Sequence, residues 1–309
     1  MGIHKTLTRN RSVPGSLGNV TRSIGYLQGG YKDSTIHSKV QSFNTVTQAG
    51  SIVYDTGYQR YYRPGITGDT AGYFNISDAG SISNYNKFSY STASASSSFT
   101  TTKNPGVTVS DYFNFTQAWI LCSTTISLVD GVEDYVKVNL TTDTPVSKGN
   151  LNGNLYSTTR QAMGTTTHGF FIDQPVADLY VLNFTTETVA LATNSALLNN
   201  GIQIPCGMSV SNSHGYMVGY IGYNTRINVS GATVNSVVSA TNYSYNFGES
   251  HSIATSTNGY MMAGYADTTG RFGGSQHGLC QGMNLTTEAI TTLPDLVLAQ
   301  SSGQLMQGY

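Results

Sequence analysis

A short element returns along the whole length of this chain at a nearly constant spacing. It opens on a small residue, continues with an aromatic and a few apolar residues, and ends on Gly or a polar turn. Copies run Gly25-Tyr26-Leu27-Gln28-Gly29-Gly30-Tyr31, Gly72-Tyr73-Phe74-Asn75-Ile76, Ala118-Trp119-Ile120-Leu121-Cys122 and Gly169-Phe170-Phe171-Ile172. They continue as Gly215-Tyr216-Met217-Val218-Gly219-Tyr220, Gly259-Tyr260-Met261-Met262-Ala263-Gly264-Tyr265 and Gly303-Gln304-Leu305-Met306-Gln307-Gly308-Tyr309. Successive copies start 47, 46, 51, 46, 44 and 44 residues apart. A unit of this length cannot bury its own apolar face, so its stability has to come from packing against units like itself.

Between the copies lies a second element. It reads Val138-Asn139-Leu140-Thr141-Thr142-Asp143-Thr144, then Leu182-Asn183-Phe184-Thr185-Thr186-Glu187-Thr188, then Met283-Asn284-Leu285-Thr286-Thr287-Glu288-Ala289, with a weaker form at Phe43-Asn44-Thr45-Val46-Thr47. An apolar strand that enters a Thr-rich turn and leaves it again is a hairpin. Charged residues are 10% of the 309, against 34 Gly and 21 Tyr, which excludes a coiled coil and a charge-driven disordered chain. The expected fold is all-β: a β-propeller with repeats of about 46 residues, each a small sheet of about four strands packed around one axis. The aromatic–Gly strand is expected to be an inner one, with Gly allowing close approach near the axis and the Tyr, Phe and Met side chains filling the space between blades.

Seven copies of the aromatic–Gly element predict seven blades, with six as the alternative. Only six hairpin regions separate the copies, so the last blade needs an outer strand, which Ile3-His4-Lys5-Thr6-Leu7-Thr8 is expected to supply. Ring closure by the N- and C-terminal strands would remove an exposed edge. The domain reading is a basic N-terminal arm or closing strand over 1–22 and a propeller over 23–309.

The Gly-Tyr-x-x-Gly-Gly element with its Asn-Phe-Thr-Thr hairpin resembles the kelch-like propeller repeat. It is most similar to the Tyr/Gly/Ser/Thr-rich version found in structural proteins of tailed bacteriophages, marine and cyanobacterial ones in particular. The resemblance runs from Ile24 to Tyr309; the Ala118 copy has lost its Gly residues, and the only Trp, Trp119, lies outside the outer-strand position that cellular kelch repeats give it. It implies a virion component, such as a fibre, neck, tail or capsid-associated protein, assembled in the host bacterial cytoplasm.

Net charge is −1, so there is no global basic field of the kind that nucleic acid requires. The charges are unevenly placed. Lys5, Arg9, Arg11, Arg22 and Lys32 precede Asp33, the first acid. Lys5, Arg9, Arg11 and Arg22 are therefore candidates for docking an acidic surface of another virion protein of the head, neck or tail. Homo-oligomers or several copies around a symmetric axis are compatible with that role. The three cysteines, Cys122, Cys206 and Cys280, include no C-x-x-C pair, which argues against a disulfide framework or zinc site. No apolar stretch is long enough to span a bilayer, and the N-terminus reads as neither a secretory signal nor a good acylation site. No membrane or nucleic-acid partner is expected.

Candidate chemistry is sparse. His168 and His214 each directly precede a Gly-aromatic strand, which reads as a repeated structural hydrogen bond to a turn. His251 and His277 have no thiol or carboxylate at ligand spacing. Asp130, Glu133 and Asp134 read as a solvated turn. The Asn-x-Ser/Thr triplets at Asn139, Asn183 and Asn284 coincide with the hairpin repeat and read as turn formers rather than glycan acceptors. Sialidase-type and copper-radical-type readings lack their arginine cluster and fixed Tyr–Cys geometry, and no Gly-x-Ser-x-Gly elbow or phosphate loop occurs. No catalytic, cofactor or metal residue is assigned. Tyr58, Arg60, Tyr61, Tyr62 and Arg63 form an aromatic–basic run suited to a contact patch. The expected function is thus a rigid, non-enzymatic virion scaffold, the alternative a receptor-recognition module that binds a host-surface glycan on one propeller face.

Overall fold

In the computed structural model of the protein, the described residues are 23–32, 35–58, 65–76, 83–101, 104–112, 114–123, 132–155, 162–173, 178–193, 206–218, 224–243, 251–266, 275–297 and 304–308. They form six sheets of four antiparallel strands and one short separate hairpin, Tyr31–Lys32 with Thr35–Ile36. In five sheets the strands follow chain order from the axis outward. The second sheet, for example, runs Ile66–Thr67, Ala71–Asn75, Ser83–Ser89 and Ser94–Thr101. The first is built differently: Gln304–Gly308 lies beside Ile24–Gln28, followed by Lys39–Asn44 and Ala49–Asp55. The axis-lining strands touch one another around a closed circuit, from Gln304–Gly308 through Ile66–Thr67, Asn104–Ser110, Met163–Gly164, Cys206–Ser209 and His251–Ala254 back to Gln304–Gly308.

The fold is therefore a six-bladed β-propeller, and the seven-blade expectation is corrected. The seventh copy of the repeat, at Gly303, supplies no blade of its own. Its residues pair antiparallel with the first copy, Ile24 with Gly308 through Gln28 with Gln304, and form the innermost strand of the first blade. Closure by the C-terminal strand leaves no blade short of an outer strand. Residues 1–22, expected as an arm or closing strand, lie outside the described residues.

The aromatic–Gly strand is an inner one, as expected, though not the innermost. It is the second strand from the axis in every blade: Ile24–Gln28, Ala71–Asn75, Gln117–Ser123, His168–Asp173, His214–Val218 and Asn258–Ala266. Its glycine serves the neighbouring blade. A Cβ on Gly169 would lie 2.7 Å from Val109 Cγ2, one on Gly259 2.5 Å from Met208 Sδ, one on Gly25 3.0 Å from Ile253 Cδ1, and one on Gly215 would overlap the Met163 sulfur. In each case the intruding side chain comes from the innermost strand of the preceding blade. Ala118, which replaces the glycine in the third blade, falls in one buried cluster with Ile66 of the second. The glycines are thus sockets for side chains.

Hydroxyl side chains fasten the innermost strands to one another. Thr108 Oγ1 donates to the Gly65 carbonyl at 2.7 Å, Ser110 Oγ to that of Thr67 at 3.0 Å and Ser252 Oγ to that of Gly207 at 2.8 Å, while the Gly164 N–H donates to Ser209 Oγ at 2.7 Å. Each bond satisfies a polar group close to the axis that would otherwise be costly to bury.

Candidate functional site

The Thr-rich hairpins join the third and fourth strands, and their geometry explains their sequence. Asn44, Asn139, Asn183 and Asn284 each accept, through Oδ1, the backbone N–H groups two and three residues on, at 2.8–3.1 Å. Four residues after the Asn, the chain takes a left-handed conformation, at Gln48, Asp143, Glu187 and Glu288 (φ 54–56°). The Asn residues are turn formers, as their recurrence implied.

Each hairpin also receives the aromatic residue of the preceding blade. Tyr73 of the second blade donates its hydroxyl to the Leu140 carbonyl at 3.1 Å and to Asp143 Oδ1 at 2.6 Å. Trp119 of the third stacks on Phe184 with ring centroids 4.0 Å apart and planes 7° from parallel. Tyr216 of the fifth donates to Glu288 Oε1 at 3.3 Å. Tyr260 of the sixth donates to the Thr45 carbonyl at 3.2 Å, across the seam that closes the ring. Tyr26 of the first stacks on Tyr90 at 5.3 Å. Phe170 of the fourth joins a wholly apolar cluster with Ile227 and Val229 of the fifth.

Where the left-handed residue is an acid, a cation stands opposite the aromatic on the adjacent strand of the preceding blade. Lys87, paired in register with Tyr73, reaches both Asp143 oxygens at 2.9 Å. Lys137, paired with Trp119, reaches Glu187 Oε1 at 2.7 Å, and Lys148 reaches its other oxygen at 2.9 Å. Arg226, paired with Tyr216, reaches Glu288 Oε1 at 2.8 Å. Lys137 and Lys87 also lie over the Trp119 and Tyr73 rings, at 5.4 and 5.7 Å. Where the turn has no acid, the matching position holds no cation: Ser42 opposite Tyr26, Val181 opposite Phe170 and Gly282 opposite Tyr260. Burial works against ionisation of Glu187, but the hydrogen bonds and charges of Lys137 and Lys148 outweigh it and hold the carboxyl below the usual carboxylate range. Burial, with Asp143 beside it, pushes the Tyr73 hydroxyl well above the usual phenol range.

The histidines have the structural role expected of them. His168 Nδ1 meets Thr167 Oγ1 at 2.8 Å, and His214 Nδ1 meets Ser211 Oγ at 2.9 Å. Both turns are tied further by a hydroxyl that accepts the histidine's own backbone N–H, Thr165 at 2.9 Å and Ser211 at 3.2 Å. Burial holds both imidazoles below their ordinary pKa, and lowers that of His251, enclosed on the innermost strand of the sixth blade, to about 4. Cys206 and Cys280 are buried free thiols, and burial pushes Cys280 up to about 12. Among the described residues no three His, Cys, Asp or Glu side chains are grouped to hold a metal ion.

Of the anticipated contact residues, Tyr58 is exposed, and its carbonyl accepts from Gln28 Nε2 at 3.2 Å. Arg60, Tyr61, Tyr62 and Arg63 lie outside the described residues, as do Lys5, Arg9, Arg11 and Arg22. Asp130 does too, while Glu133 and Asp134 belong to the strand Val132–Asn139 and not to a turn.

A surface that the sequence reading missed lies on the rim. Exposed apolar side chains stand on or beside the outer strands of five blades: Val46 and Ile52, Val146, Leu191, Val238 and Val297. The outer strands of the six blades carry few charges. Ser94–Thr101, Thr188–Thr193, Thr233–Ser239 and Ile290–Leu293 have none. Natural edge strands are commonly guarded by charge or proline, and these four have neither.

No protein-family model and no curated protein matches the sequence. Among solved structures, the chain is similar in fold to TolB from Acinetobacter baumannii, with a TM-score of 0.57 and 12% sequence identity, over 94% of this chain and 68% of that one. Likeness at this identity establishes the propeller and nothing about its use.

Proposed function

We propose that this protein is a rigid, non-enzymatic scaffold that holds other proteins in place, a structural component of a tailed-phage virion carrying a divergent kelch-like repeat. The observation that carries the scaffold reading is how polar and apolar groups are distributed. Four of the five cations that form ion pairs among the described residues (Lys87, Lys137, Lys148 and Arg226) are spent between blades. The rim meanwhile exposes Val46, Ile52, Val146, Leu191, Val238 and Val297 on or beside weakly charged strands. Exposed apolar groups in such an arrangement suit contact with protein, and cross-blade ties resist the deformation that a load-bearing part must withstand. The basic residues Lys5, Arg9, Arg11 and Arg22 supply a second attachment, to an acidic surface of a head, neck or tail protein. The phage setting itself rests on the resemblance of the repeat.

The test is co-purification of tagged protein with assembled particles, full length and lacking residues 1–22. Retention of the full chain and release of the truncated one is the expected result. Binding to a glycan array that survives the truncation, with no retention on particles, would favour the receptor-recognition module instead.

A further inference from the structure

Three of the six exposed large aliphatic side chains among the described residues gather at one seam, between the sixth and first blades. Phe43 faces the sixth blade, in one buried cluster with Tyr260, Leu293 and Leu296. Its register partner Gly50 and, two residues on, Ile52 lie on that same face of the sheet. The outer strand of the sixth blade, Ile290–Leu293, has four residues against seven for Ala49–Asp55, and residues 294–297 continue over this face. Leu296 is buried there, its N–H donating to the Gly278 carbonyl at 2.6 Å, and Leu296 Cα and Val297 N lie 3.5 Å from where a Gly50 Cβ would stand. Ile52 and Val297 remain 46% and 53% exposed, and Val46, in the hairpin that joins Lys39–Asn44 to Ala49–Asp55, is 76% exposed. Val146, Leu191 and Val238 stand one to a blade.

The chain enters the described structure at the same place. Ser23 precedes Ile24–Gln28, and its carbonyl accepts both the N–H of Thr45 at 2.7 Å and its Oγ1 at 2.9 Å, next to Val46. Residues 1–22 therefore join the fold beside this patch. Their nearest apolar residues, Val20 and Leu17, stand three and six residues before Ser23, within about 10 and about 20 Å of it even when the chain is extended. Gly15 and Gly18 flank Leu17 and permit a reversal of the backbone. Charge points the same way. Asp295, exposed beside Leu296, is paired with no described cation, whereas Asp55 and Glu288 are already engaged by Lys39 and Arg226. Residues 1–22 carry Lys5, Arg9, Arg11 and Arg22 and no acid.

We propose that residues 13–22 fold back over this seam, with Leu17 and Val20 covering Val46, Ile52 and Val297 and Arg22 pairing with Asp295. The result is an intramolecular clasp across the junction where the ring closes. Removing exposed apolar groups from water supplies the driving force, and a tethered segment meets its site at high effective concentration. The clasp does not rest on the scaffold reading. It uses Arg22 and leaves Lys5, Arg9 and Arg11 to a partner, so purified protein alone tests it.

The experiment places a photoactivatable benzoylphenylalanine at the position of Val297 in the purified full-length chain, and at that of Val238 on the fifth blade as a control, with circular dichroism to verify an unchanged fold. Irradiation of the first should cross-link within the monomer, to residues 13–22 by mass spectrometry of the digest, while the control should not capture that segment. Leu17→Asp combined with Val20→Asp should lower the yield at Val297 ~10-fold or more, through lost apolar burial. Asp295→Lys should lower it ~2-fold or more, and adding Arg22→Glu should restore it. Capture of a second copy instead, equal capture at the control position, no capture of residues 13–22, or a yield indifferent to these substitutions would overturn the proposal.

Discussion

Single residues decide how closely the blades approach. Gly215 is the clearest case, because an alanine there would meet both the Met163 side chain and the Met208 carbonyl, the latter at 2.6 Å. Gly215→Ala should lower stability by about 1–3 kcal/mol, the usual cost of overpacking a filled core. Gly50→Ala is the control, since the nearest atoms to a new Cβ lie 3.5 Å away, and its urea midpoint should stay close to wild type. The buried imidazoles give a second prediction. In the unfolded chain histidine takes up a proton near pH 6.5, whereas His168, His214 and His251 are held neutral below that by burial. The unfolded state therefore binds more protons as pH falls from about 6.5 toward 4, and folded stability must fall over the same window. Thermal midpoints measured from pH 7.5 to 4.5 should drop below 6.5; a flat profile would show that these rings are free to ionise in place. Glu187 adds to the loss at the acid end. Its depressed pKa contributes stability above the unfolded carboxylate range, and that contribution disappears as pH falls through the folded value.

At the scale of the strand and hairpin, the aromatic of one blade and the turn of the next act as a unit. Glu288→Gln should cost about 1 kcal/mol or more, since it leaves Arg226 part-buried without its charge partner and weakens the Tyr216 contact. The same change in kind at the exposed Lys39–Asp55 pair, Asp55→Asn, should cost less than about 1 kcal/mol. A double-mutant cycle on Arg226 and Glu288 in urea separates coupling from general damage. Much of this level was legible in the sequence. The Asn-x-Thr-Thr turns, the strand-to-turn pattern and the structural histidines all follow from local chemistry that one segment contains within itself. The cross-blade ties were not read, although a signal existed. Lys87 and Lys137 stand two residues before the residue that opens their own blade's turn and Arg226 four before it, and an acid occupies the turn of the following blade in each case. That correlation links segments about 50 to 60 residues apart and has meaning only once the ring order is known.

For the whole molecule, the blade count turned on one strand. The copy at Gly303 has the composition of a second-position strand, and nothing local marks it as the innermost strand of a sheet that begins at Ile24. Its role follows from ring closure: an open ring would leave the Ile24–Gln28 edge and the sixth blade's inner face exposed, and among the described residues Gln304–Gly308 covers both. Rim exposure was equally hard to foresee, because apolar residues in alternating strands read as core until the outermost position of each strand is known. The central claim is that closure, and cysteines placed at Ile24 and Gly308, which are register partners, test it most directly. Oxidation of the Ile24→Cys/Gly308→Cys chain should form an intramolecular link in the monomer, seen by mass spectrometry of a non-reduced digest, and should raise the thermal midpoint. Absence of that link, or links formed only between chains while the fold is intact, would contradict a ring sealed by its last strand.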